Sequence, residues 1–192
     1  MIVDRISCGN SSAECGSTGA SPSHLVLEDA LQHDFGKGDS LKIQVEPILG
    51  LPVLKDLVVD MEPFFAHYRQ VMPYFVNDTP LPANGRERLQ SQEDRLKFDD
   101  TTKCILCAAC TAACPLFWAN GRFIGPQAIV MAHRFVFDSR DQGKAERLAV
   151  LNARFGAWGC RDVGNCTEVC PRGIQIQDAI DQCKREVLLD RE

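Results

Sequence analysis

Four cysteines crowd into eleven residues, Cys104-Ile-Leu-Cys107-Ala-Ala-Cys110-Thr-Ala-Ala-Cys114-Pro115, and no other feature constrains this chain as strongly. The spacing C-x2-C-x2-C-x3-C-P belongs to a bacterial loop that serves two iron-sulfur clusters. Three thiolates at three-residue steps converge on one cubane from a tight loop and a helical turn. The fourth, four residues further on, points away toward a different cluster. Such a loop demands a second set of ligands elsewhere in the chain.

That set is Cys160-Arg-Asp-Val-Gly-Asn-Cys166-Thr-Glu-Val-Cys170-Pro171. Aligned on its closing Cys-Pro, it carries cysteine at the first, third and fourth places of the pattern, and Val163 stands at the second. The crossed-ligand rule then puts Cys104, Cys107, Cys110 and Cys170 around one [4Fe-4S] cluster, and Cys114, Cys160 and Cys166 around the other. The second site lacks a thiolate at one corner, and valine offers no replacement, so a [3Fe-4S] cluster is its natural occupant. Two such centres in one small chain read as a path for electrons.

Structural zinc is the main alternative, because paired C-x2-C motifs also build four-thiolate sites. Seven ligands would leave one such site incomplete, and zinc pairs are normally spaced well apart. Disulfides are disfavoured as well: the start, MIVDRISCGNSSAECG, contains no apolar signal segment, so a reducing cytosolic compartment is the expectation for the ten cysteines. Cys183 falls outside both runs and reads as a buried structural thiol. His24, His33, His67 and His133 read as surface or packing residues. A net charge of −5 with scattered Lys and Arg gives no nucleic-acid footprint. The uncharged stretch Cys104–Gly121 matches a membrane span in length, but its four cysteines, Pro115 and polar residues argue against one. No GxGxxG, P-loop or catalytic triad is present, so the chain carries electrons and has no catalytic residue of its own.

At 45% hydrophobic residues the chain can build a packed core, and the pattern predicts a mainly helical protein. Residues 1–40 show no sustained period and read as irregular or disordered. Leu41–Ile48 alternates as a half-buried strand, which needs a partner because one strand cannot be stable alone. Helices are predicted over Lys55–Val71, with Pro63 a kink, and over Gln90–Lys97, Pro126–Phe137, Gln142–Asn152 and Gln175–Leu189. The run Asp138-Ser-Arg-Asp141 reads as a helix end followed by the cap of the next helix. Pro73, Pro80 and Pro82 mark a linker before the cysteine region.

From Leu41 onward the sequence resembles the iron-sulfur subunit of succinate dehydrogenase and fumarate reductase. The resemblance is carried by Gly50-Leu-Pro-Val-Leu-Lys-Asp-Leu-Val-Val-Asp-Met61, by the first cysteine loop, and by Phe123-Ile-Gly-Pro126, His133-Arg-Phe135, Phe137-Asp-Ser-Arg-Asp141 and Asn165–Ile174. Asp60-Met-Glu-Pro-Phe-Phe and Cys170-Pro-Arg-Gly-Ile-Gln are similar to actinobacterial members. The family implies an α-helical ferredoxin-type domain over 76–192 and the end of a β-grasp [2Fe-2S] ferredoxin domain plus a connecting helix over 41–75, behind an atypical segment 1–40.

It also implies a relay, in which a flavoprotein subunit oxidises succinate and electrons pass to a membrane quinone through [2Fe-2S], [4Fe-4S] and [3Fe-4S] centres. The implied assembly sits peripherally on the cytoplasmic face of the cell membrane, held by membrane-anchor subunits. This chain departs from the family at the first centre: only Cys8 and Cys15 occur where four cysteines are expected, and two cannot hold a [2Fe-2S] cluster. It reads as an N-terminally shortened member. The family's quinone site lies beside the three-iron centre, where this sequence has Cys114-Pro-Leu-Phe-Trp118; Trp118 is a quinone contact or a packing residue. Arg161 stands where some relatives place a histidine facing the quinone. Two further classes compete: a free ferredoxin, which is far shorter, and a heterodisulfide-reductase or glycolate-oxidase type component, which usually has cysteine at the Val163 position.

Overall fold

The computed structural model describes residues 2–8, 41–83 and 85–190, in two compact units. The first comprises residues 1–48 and 52–60, the second residues 49–51 and 61–192.

In the first unit, strand β1 (Ile2–Cys8) pairs antiparallel with β2 (Leu41–Glu46), with Ile6 opposite Ile43 and an irregularity between Val3 and Arg5. The partner that β2 needs is thus found in the same chain. The irregular reading of 1–40 did not anticipate β1; Ile2, Val3 and Ile6 are β-favouring residues, but too few to set a period. A second pair, β3 (Val53–Lys55) and β4 (Val58–Val59), turns at Asp56, whose φ is 49°. Asp60 closes this hairpin by donating its N–H to the Pro52 carbonyl at 2.8 Å.

The hairpin corrects the predicted helix over Lys55–Val71. Helix α1 spans only Glu62–Gln70, and Pro63 lies in its first turn. Proline lacks the N–H an interior position needs, yet costs nothing where that N–H has no helical partner. Pro63 therefore starts the helix instead of kinking it.

The second unit is helical. Helix α2 (Gln92–Leu96) is capped by Ser91, whose Oγ accepts from the Asp94 N–H at 3.0 Å. Three short helices follow or precede the cysteines: α3 (Ala109–Ala112), α4 (Pro115–Ala119) and α7 (Asn165–Glu168). Longer ones are α5 (Gly125–Val136), α6 (Lys144–Asn152) and α8 (Ile176–Leu189). Every residue of α5 but Arg134 is buried, as a helix apolar on all sides requires. It packs against α1, α3, α6 and α8 and forms the centre of the unit. Helix α8 buries one stripe, Ile176, Ala179, Ile180, Cys183 and Val187, at three- and four-residue steps. Among the described residues no helix is long and apolar enough to cross a membrane.

Arg147 on α6 is fully buried and pairs with Asp141, which is equally buried. Its guanidinium also donates to the carbonyls of Met72 at 3.1 Å and Tyr74 at 2.8 Å, fastening the segment after α1 to the helical unit. The cap of α6 is Gly143, not Asp141 as expected. Asp141 instead spends its carboxylate on Arg147 and on the Val76 and Gly143 N–H groups.

Candidate iron-sulfur centres

The two cysteine runs fold as two copies of one device. In the first, a 3-10 turn (Asp100–Lys103) delivers Cys104, Leu106 and Ala108 adopt left-handed conformations with φ of 57° and 62°, and α3 follows. In the second, a 3-10 turn (Ala157–Gly159) delivers Cys160, Asp162 and Gly164 are left-handed with φ of 56° and 86°, and α7 follows. Left-handed backbone is costly for residues other than glycine, and it recurs at matching places in the two loops. One consequence is visible: the Asp162 N–H lies 3.4 Å from Cys160 Sγ, and the Leu106 N–H reaches Cys104 in the same way. The copies abut along α3 and α7, where Asn165 donates to the Ala113 carbonyl at 3.3 Å.

Two hollows lie between these loops and the helices. The first, about 360 Å³, is lined by Cys104, Cys107, Cys110 and Cys170. The second, about 290 Å³, is lined by Cys114, Cys160 and Cys166, with Val163 at its edge. The thiols stand around the hollows rather than at a point. Among the described residues no three His, Cys, Asp or Glu side chains meet closely enough to hold a single metal ion.

Helices α5 and α8 begin between the hollows and divide their first turns between them. Gln127 and Val130 face the first while Pro126 faces the second; Ile176 faces the first while Gln177 and Ile180 face the second. Both glutamines leave one buried amide atom without a hydrogen-bond partner, Nε2 of Gln127 and Oε1 of Gln177. Neither residue stood out in the sequence, although a glutamine on the apolar face of α5 was the available signal.

Without a cation these sites oppose ionised sulfur. Burial pushes the Cys110 thiol well above its ordinary range, and the neighbouring Cys104, Cys166 and Cys107 add like-charge repulsion. Burial likewise raises Cys166 to about 11 and lifts Cys104 and Cys160. A bound metal would favour the thiolate form at these cysteines. Lys184 lies 2.6 Å from Asp162 beside the second hollow.

The remaining candidates are dispersed. Trp118 is half exposed, lines neither hollow and donates its indole N–H to the Ala112 carbonyl at 2.6 Å. Cys183 is fully buried on α8. His133 is buried between Thr101, at 3.3 Å from Nδ1, and Gln182, at 2.9 Å from Nε2. His67 approaches the Gly121 carbonyl at 3.3 Å. Cys8 belongs to β1, whereas Cys15, His24 and His33 lie outside the described residues.

Paired cysteine loops closing on two hollows in a helical shell define a ferredoxin-type iron-sulfur protein, and residues 96–171 match the 4Fe-4S dicluster domain family. The succinate dehydrogenase iron-sulfur subunit of Coxiella burnetii is 41% identical over 152 residues, covering 79% of this chain and 64% of that one. The fumarate reductase iron-sulfur subunit of Escherichia coli is 38% identical over 176 residues, covering 91% and 70%. Among solved structures, the Mycobacterium smegmatis Sdh1 complex in the apo form aligns with a TM-score of 0.69 at 28% identity, over 82% of this chain and 65% of that one. The chain belongs to the succinate dehydrogenase and fumarate reductase iron-sulfur subunit family, and spans just under two thirds of the Coxiella relative.

Proposed function

We propose that this chain is the electron-relay subunit of a succinate:quinone oxidoreductase. Cys104, Cys107, Cys110 and Cys170 hold a [4Fe-4S] cluster, and Cys114, Cys160 and Cys166 hold a [3Fe-4S] cluster. One observation carries the reading: seven thiols line two hollows, four around one and three around the other, and Val163 stands where an eighth would be. An iron-sulfur core supplies one-electron storage without bond chemistry, and the chain's own residues supply the rest. They surround both centres largely with apolar side chains and hold the thiols in two separate sets.

Electrons enter from a flavoprotein subunit that oxidises succinate and leave from the three-iron centre to a membrane quinone, with membrane-anchor subunits holding the assembly at the cytoplasmic face. Succinate oxidation is favoured over fumarate reduction by the Coxiella and Mycobacterium relatives. The half-exposed ring of Trp118, on the helix that follows Cys114, is this chain's candidate quinone contact. The strand pair β1–β2 supports the reading of residues 41–75 as the end of a β-grasp [2Fe-2S] domain, and the three cysteines outside the seven, Cys8, Cys15 and Cys183, are fewer than the four ligands that cluster takes.

Anaerobic purification, iron and sulfide counts, and electron paramagnetic resonance of the oxidised protein test this. About seven irons and a three-iron signal are expected. About eight irons without that signal, or zinc without sulfide, would refute it.

A further inference from the structure

Gln127 is 2% exposed, lines the first hollow, and has no partner for its side-chain Nε2. Buried amide donors are almost always satisfied, so an unpartnered one facing a hollow marks a missing acceptor. The protein offers few. Apart from the four thiols and Gln127 itself, the side chains around this hollow are apolar, except Arg172, which only donates.

We propose that Gln127 donates a hydrogen bond to a sulfur of the first centre and so raises that centre's reduction potential. The inference rests on the cluster reading of Cys104, Cys107, Cys110 and Cys170 given above. Cluster sulfides and thiolates accept hydrogen bonds and cannot donate, so an amide beside them turns its NH2 group inward. The electron added on reduction spreads onto those sulfurs, and a donor then binds the reduced form more strongly than the oxidised one. Val130 and Ile176, both buried, line the same hollow beside the amide.

The matching residue on α8 behaves differently. Gln177 donates its amide to Asp162 at 2.8 Å and to Asp181 at 3.4 Å, leaving only an oxygen without a partner. The first centre alone therefore receives a glutamine donor, and the two potentials are set unequally by otherwise matching helix starts.

The test is a redox titration, followed by electron paramagnetic resonance, of the full chain with both centres loaded. At the wild-type midpoint, Gln127→Met and Gln127→Leu lower the reduced-to-oxidised ratio of the first centre roughly tenfold, about 59 mV for one electron. Iron content and the second centre stay as they were. A loaded variant with an unaltered first-centre potential would overturn the proposal. If the variants load poorly, pulsed resonance of the reduced wild-type centre, isotopically labelled at the glutamine side-chain nitrogen, decides: a nitrogen coupling supports the bond and its absence refutes it. A wild-type chain with no first-centre signal at all would instead sink the cluster reading beneath it.

Discussion

Val163 holds the place in the second cysteine loop that Cys107 holds in the first. Both follow a cysteine by three residues, and both sit between two left-handed residues, Leu106 and Ala108 in one loop, Asp162 and Gly164 in the other. Val163 also lines the second hollow, as Cys107 lines the first. The backbone is ready for a ligand at this position, and only the side chain withholds it.

Val163→Cys therefore completes the second ligand set. Iron rises from about seven to about eight per chain, and the oxidised three-iron signal disappears. Because Val163 is 51% exposed, the substitution leaves the core intact, and the stability of the metal-free protein stays within about 0.5 kcal/mol. Iron analysis and electron paramagnetic resonance of the purified variant check both statements.

Arg147→Met strands the buried carboxylate of Asp141 and frees the Met72 and Tyr74 carbonyls. Removing one partner of a buried pair costs about 3–5 kcal/mol. Urea unfolding of Arg147→Met should show a loss of that size.

His133 gives the helical unit an acid-sensitive point. Burial lowers its pKa below the ordinary histidine value of 6.5, outweighing the Gln182 hydrogen bond that favours the charged form. The unfolded chain then binds a proton more readily than the folded one, so this contribution to stability is complete above pH 6.5 and is lost as pH falls through that value. His133→Gln, which cannot charge, should flatten the decline in unfolding free energy between about pH 7 and pH 5.

Long periodic segments were readable from sequence. The helices expected at Pro126–Phe137 and Gln175–Leu189 are α5 and α8, displaced by a residue at their ends. Helices α3, α4 and α7 span four or five residues, too few to show a period, and their formation follows from the loops and Cys-Pro pairs that bracket them. The β3–β4 hairpin was hidden because Leu57, Val58 and Met61 also fit a helical spacing; its turn depends on Asp56 going left-handed, which no composition rule flags. The crossed grouping of the seven cysteines was read from the spacing of the two loops. Gln127 and Gln177 could not be found that way: their meeting with the hollows depends on where α5 and α8 pack.

Each hollow borrows one thiol across the repeat, Cys170 from the later loop for the first and Cys114 from the earlier loop for the second. Neither loop is self-sufficient. A chain cut anywhere between Cys114 and Cys160 would leave both hollows short of a thiol, and the two sets are complete only once Cys170 has been made.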